Sequence, residues 1–308
     1  MDKIKQYSKD ISVIVPCWRG AIKFLPKLLS TIPENEKIEI IIVDNSRIPV
    51  SREEIDSERA FKLLHSAPER HAGGSRNEGI SSAAGKWLIF ADADDYFTDD
   101  AFDVFYSKLN SEAELIYTKP DGIYEDTGEH SDRGDKYASL VHEYCLGTID
   151  EKLLRLGFAT PWCKMVSHSL VERKGLKFDE IRAGNDIYFS LTSGFYASKV
   201  EAIDTVTYIT TVNRGSLTKL RDYEVIKARL YSKLHCNQFL RQHGLSRFQH
   251  SIMFAFAEAK KFGVRKVWEF LKMIVKYRQN PFVGCNRWLL TFFRNKENEK
   301  RDNKYIVK

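Results

Sequence analysis

The chain has 308 residues, 43% hydrophobic and 29% charged, a globular composition with room for one large domain or two smaller ones. Its five cysteines are odd in number, scattered and without CxxC spacing, which argues against a zinc site or a disulfide framework and fits a reducing cytoplasm. The net charge of +6 is uneven: residues 219–308 hold 21 Lys+Arg against 7 Asp+Glu, or +14, leaving −8 for residues 1–218.

The opening "MDKIKQYSKDISVIVP" has no apolar run of signal-peptide length, and no stretch reaches the roughly 18 apolar residues of a membrane span. The expectation is a chain made and kept inside the cell. "ISVIVP" (residues 11–16) reads as a buried strand. "IKFLPKLLSTI" reads as a helix, with Pro26 tolerable only near its first turn. Strands follow at "IEIIIVD" (38–44) and "FKLLHS" (61–66), then a helix at "SRNEGISSAA" (75–84) and a strand at "KWLIFAD" (86–92). Thr98 is a candidate N-cap for a helix running to Leu109, and "AELIYT" (113–118) is a fifth strand. Continuous apolar strands separated by helices predict a parallel sheet covered on both faces.

The polar, turn-rich residues 120–137 read as an exposed loop. "EKLLRLGF" looks helical, and residues 199–212 look like a strand. From about Arg221 the texture changes to long helical patterns over 223–244 and 251–280, followed by "RWLLTFFR". The expected organisation is an α/β domain at 1–218 and a basic α-helical region at 219–308.

Ligands of open parallel sheets bind beyond the carboxyl ends of the strands. "FADADDYF" puts Asp92, Asp94 and Asp95 at one such end, Asp44 and Asn45 stand at another, and Pro16 and Trp18 at a third. Crowded carboxylates repel, and a Mg²⁺ or Mn²⁺ ion that also bridges to substrate phosphates would relieve them. A solvated acidic turn leading into a helix is the simpler alternative.

The ordered set "ISVIVPCW", "IIVDNS", "GGSRNEGISSAAGKWLIFADADDYF" and "KFDEIRAGNDIYFS" resembles glycosyltransferase family 2 over roughly residues 10–218. The resemblance implies a GT-A fold: a Rossmann-like, mostly parallel α/β sheet flanked by helices, here with a C-terminal α-helical extension. It implies an inverting enzyme with a nucleotide-sugar donor, a UDP-sugar before a dTDP-sugar. Pro16 and Trp18 would border the base, and Asp44 or Asn45 would touch it. Arg76 and Asn77 would frame the nucleotide. Asp92-Ala93-Asp94 matches the D-x-D element, with Asp94 first and Asp92 or Asp95 next as ligands of Mn²⁺ or Mg²⁺. Asp186 matches the general base, although Asn185 replaces the commoner Glu before it. Trp162 and Lys164 fall in the acceptor-side segment, where core packing is the equal alternative for Trp162. Arg214 and Ser216 match a late element that contacts the diphosphate.

The implied acceptor is a glycan hydroxyl, lipid-linked in many family members, in bacterial capsule or lipopolysaccharide assembly. Basic residues beside Trp268, Phe270, Leu271, Trp288 and Phe292 fit an anionic membrane surface on the inner face of the cell membrane, or packing against a second subunit as a homodimer. No nucleic-acid recognition motif accompanies the charge. A non-catalytic sugar-nucleotide binder and a sugar-phosphate nucleotidyltransferase are the rival readings.

Overall fold

The computed structural model describes residues 7–212 and 222–283. The chain divides into two compact units between Lys219 and Leu220. In the first, β1 (Lys9–Cys17) leads through a 3₁₀ turn into the short α1 (Leu25–Ser30), where Pro26 stands in the first turn. β2 (Ile38–Asp44), β3 (Lys62–His65), α2 (His71–Ser82) and β4 (Gly85–Phe90) follow. Next come β5 (Tyr96–Phe97), α3 (Ala101–Tyr106), β6 (Leu115–Tyr124), α4 (Asp135–Cys145) and α5 (Glu151–Gly157). β7 (Lys164–Ser167), α6 (His168–Lys174), α7 (Ile187–Tyr196) and β8 (Val200–Val212) complete the described part.

One sheet has the order β3-β2-β1-β4-β7-β6-β8-β5. The β1–β2, β1–β4, β2–β3 and β6–β8 pairs are parallel, while β7 runs antiparallel to both β4 and β6. The sheet is therefore mixed and mostly parallel, the expected α/β architecture. β1 and β2 are buried along nearly their whole length because helices cover both faces, which is why they read as unbroken apolar runs.

Two local readings change. The exposed loop expected at 120–137 is shorter: β6 stays paired with β8 as far as Tyr124↔Val212, α4 begins at Asp135, and the irregular part is 125–134. Thr98 does not cap α3, because its hydroxyl donates to the Val206 carbonyl. β7 is four residues long, too short to show a period of its own.

The second unit is helical: α8 (Tyr223–Gln242), α9 (Met253–Ala259) and α10 (Val264–Lys276). Ile226, Leu230 and Leu234 recur at i+4 and meet Ile252, Ala255, Ala259, Phe270 and Ile274 in a core of this unit's own. The helical pattern over 251–280 is broken at Lys260–Phe262 by a 3₁₀ turn. Among the described residues no helix is long and apolar enough to cross a membrane.

Candidate functional site

The carboxyl ends of β1 and β2 enclose an open cleft of about 300 Å³, lined by Trp18, Arg19, Asn45, Ser46, Arg47 and Ile48. Trp18 is 58% exposed and its indole lies over Gly20. Asp44 does not line this cleft. Its carboxylate is buried and spent inside the protein: one oxygen accepts from the Ser46 backbone (3.0 Å) and hydroxyl, the other from the Val50 N–H (2.9 Å), with His65 Nδ1 3.3 Å away. Asp44 thus shapes the 45–50 turn. Asn45 holds the Cys17 carbonyl through its backbone N–H (3.0 Å) and keeps its side chain at the cleft. Pro16 is buried inside β1, opposite Val43 and beyond the last β1–β4 pair, so it supports the cleft from beneath.

The acidic turn after β4 separates its members. Asp92 is a quarter exposed and receives Arg76 Nη2 at 2.5 Å, while its N–H donates to the Tyr208 hydroxyl oxygen at 2.8 Å. Ala93 is buried. Asp95 points inward: Oδ1 accepts from the Thr211 N–H at 2.7 Å, and Oδ2 is buried with no hydrogen-bond partner. Burial pushes its carboxyl well above the usual range. Asp95 clamps the turn to β8 and is buried there. Asp94 is half-buried, and burial and then the Asp92 charge raise its pKa.

A divalent cation fits here in one way only. Among the described residues no three His, Cys, Asp or Glu side chains converge as a ready metal cage. Mg²⁺ and Mn²⁺ sites completed by substrate phosphates need only one or two protein carboxylates. Asp94, the accessible carboxylate in the field of Asp92, suits that donor set.

Arg76 is almost fully buried and spans the site. Besides Asp92 it donates from Nη1 to Asn185 Oδ1 at 2.9 Å. This accounts for Asn185, whose neutral oxygen takes one guanidinium N–H while Asp92 takes the other. Asn77, expected near the nucleotide, is spent elsewhere: its amide bonds the Phe178 backbone at both ends (3.0 and 2.8 Å) and Glu180, tying α2 to the 178–180 segment. Asp186 follows Asn185 at the head of α7, half-buried, its carbonyl accepting from the Ser190 N–H. Burial raises its carboxyl pKa most. Arg76 is the largest opposing influence, Asp92 adds to the rise and Lys164 opposes it.

The two residues of the acceptor-side segment lie inside the protein. Trp162 is buried, stacked on Tyr208 (5.9 Å between centroids) and met edge-on by Tyr137, so no ring face is left for a sugar. Lys164 is fully buried, with its ammonium on the Phe158 carbonyl at 2.8 Å and its pKa pushed down to about 7 by desolvation. Trp162 thus takes the core-packing alternative, and Lys164 joins it at the start of β7, a strand too short to read in the sequence. Arg214 and Ser216 lie outside the described residues.

Sequence reasoning missed Arg133. It reaches the acidic turn from the β6–α4 connection, with Nη2 3.9 Å from Asp92 Oδ2 and Nη1 3.9 Å from Asp95 Oδ1. No local signal pointed to it: "KPDGIY" is turn-rich in composition, and only its long-range pairing with β8 makes it strand and brings Arg133 toward the sheet end.

Comparison with known proteins gives the same picture. The family model for glycosyl transferase family 2 matches residues 12–174, more than half of the chain. EpsH of Bacillus subtilis (strain 168), named for glycosyl transfer, is 26% identical over 258 residues, covering 78% of this chain and 74% of EpsH. The succinoglycan biosynthesis protein ExoO of Rhizobium meliloti (strain 1021) is 24% identical over 270 residues, covering 82% of this chain and 75% of ExoO. A crystal structure of S. aureus TarS in complex with UDP-GlcNAc superposes with a TM-score of 0.59 at 16% identity, covering 87% of this chain and 80% of that one, so the two share the GT-A fold. Matched from the first strand through the acidic turn after β4 and on to α6, the chain belongs to glycosyl transferase family 2.

Proposed function

We propose that the chain is an inverting glycosyltransferase that moves a hexosyl or N-acetylhexosaminyl group from a UDP-sugar to a hydroxyl of a surface glycan. The observation that carries this reading is Asp186: a half-buried carboxylate of raised pKa, linked through Asn185 and Arg76 to Asp92 at the strand end. The TarS complex with UDP-GlcNAc supports the UDP donor, with a dTDP-sugar second, and ExoO supports polysaccharide synthesis.

In this reading Asn45 and Trp18 receive the base, and Asp94 with Asp92 would hold Mn²⁺ or Mg²⁺. The cation would supply Lewis-acid neutralisation of the diphosphate. Asp186 takes the proton of the acceptor hydroxyl as its oxygen bonds to C1 of the sugar. The bond from C1 to the diphosphate oxygen breaks on the opposite face, and UDP carries away the electron pair. The test is hydrolysis and transfer over a panel of UDP- and dTDP-sugars with Mn²⁺ and with EDTA. Turnover of a UDP-sugar that EDTA suppresses at least tenfold is expected. UDP binding without turnover of any donor would leave a binding protein instead.

The second unit suits a lipid-linked acceptor. α10 buries Phe270 and Ile274 on one side, yet Val264, Trp268 and Val275 are 61–75% exposed on the other, with Leu271 between them at helical spacing. Arg265, Lys272 and Lys276 are exposed beside this stripe. An apolar stripe flanked by cations fits the headgroup boundary of an anionic bilayer at the inner face of the cell membrane. Full-length protein should co-sediment with phosphatidylglycerol-containing vesicles and not with phosphatidylcholine alone. The pair Trp268→Ser and Val275→Ser should reduce the bound fraction several-fold. Equal partitioning of variant and wild type would remove this surface from the proposal.

A further inference from the structure

We infer that Arg133 is a diphosphate-binding residue of this site, and the inference rests on the nucleotide-diphosphate donor proposed above. Its place is built from the sequence upward. Gly122, near the end of β6, lets the Ser131 backbone approach closely: a Cβ there would stand 2.5 Å from the Ser131 oxygen. The Ser131 N–H then bonds the Gly122 carbonyl at 2.8 Å. His130 braces the same connection, with Nδ1 3.0 Å from Asp121 and Nε2 3.2 Å from Asp135. Two residues on, the Arg133 guanidinium is delivered over the acidic turn.

Three carboxylates hold the guanidinium there. Asp92 and Asp95 lie within ion-pair reach of it, and Asp94 stands between them in the same turn. It does not hydrogen-bond them, because both close approaches are 3.9 Å. Its hydrogen bond to protein, among the described residues, runs from Nη1 to the Thr211 carbonyl. Most of its five N–H donors are therefore uncommitted, and the side chain is 24% exposed. Arg76, on the other side of Asp92, differs: it is 6% exposed, its two Nη groups are taken by Asp92 and Asn185, and its Nε is sealed from solvent.

The two arginines thus divide the work. Arg76 cross-links the protein, and Arg133 presents open donors at a strand end. A diphosphate placed beside Asp94 adds negative charge to a site that already has three carboxylates. A planar fork of N–H groups meets phosphate oxygens bidentately, which neither a lysine nor a carboxylate can do. When the C1–oxygen bond breaks, the leaving diphosphate gains charge, and Arg133 is placed to stabilise it.

The experiment is calorimetric titration of the full chain with UDP and with uridine, in EDTA and in Mn²⁺, for wild type, Arg133→Gln and Arg133→Lys. Arg133→Gln is expected to weaken UDP about tenfold or more in EDTA and to leave uridine unchanged. Arg133→Lys should recover part of the loss by restoring charge without the fork. Uridine binding reports the base cleft, so a purely structural role would lower both ligands together, and that result overturns the inference. So does UDP affinity in Arg133→Gln within twofold of wild type in both buffers. A wild type that binds no UDP under either condition removes the donor reading itself, and this inference with it.

Discussion

Asp186→Asn is expected to lower glycosyl transfer by about 10²–10⁴-fold, the usual contribution of a positioned general base, while UDP affinity stays near that of wild type. The amide keeps the shape of the carboxylate but cannot take the acceptor proton. Steady-state transfer and calorimetric UDP binding, measured on the same preparation, separate the two effects. A variant that retains more than a tenth of wild-type transfer would take the base role away from Asp186.

A pH profile tests the same group. Burial raises the Asp186 pKa, so transfer should be present above that raised value and lost as pH falls through it. The acidic limb of kcat/KM should therefore lie higher than an ordinary aspartate would place it. Stability carries the opposite sign. A carboxyl whose folded pKa exceeds its unfolded one makes the native state less stable as pH rises through that window. At neutral pH Asp186→Asn relieves this cost, so it should melt no lower than wild type. An inactive variant of undiminished stability marks a residue kept for chemistry rather than folding.

Arg76→Met is expected to do the reverse and strike stability first, by about 3 kcal/mol. It leaves the Asp92 carboxylate without its close cationic partner and Asn185 without its donor, both in a largely buried setting. Transfer should fall as well, because the link between the acidic turn and the Asn185–Asp186 segment is gone. The double change Arg76→Met with Asp92→Asn removes the stranded charge and should recover most of the lost stability, a coupling that urea midpoints of the four proteins would measure. Strictly additive losses, or a single-variant loss under about 1 kcal/mol, would show that the pair is not a structural tie.

Much of the frame was legible because local physics dictates it. The β-branched runs of β1 and β2 can only be buried strands, and the acids at the end of β4 stand at a strand end because the apolar run stops there. The roles of neighbouring residues were less legible. Asp44 and Asn45 are adjacent, yet one carboxylate is consumed by the turn it closes and the other side chain faces the cleft. Asp92, Asp94 and Asp95 look alike in the sequence, and Thr211, more than a hundred residues away, turns Asp95 inward.

By itself, the sequence determined the α/β architecture, the strand ends that carry polar residues, the family and Asp186 as the base to test, since these depend on local periodicity and on ordered motifs. Only the tertiary structure decided which polar side chains are already satisfied within the protein and which keep free donors or acceptors. Trp162 and Lys164 went to the core because β7 inserts between β4 and β6, where both flanks are covered. Arg133 entered the site because β6 and β8 pair to their ends and fold its connection over the acidic turn. Hydrogen-bond saturation and charge proximity are properties of long-range pairing, and no window of sequence contains both partners.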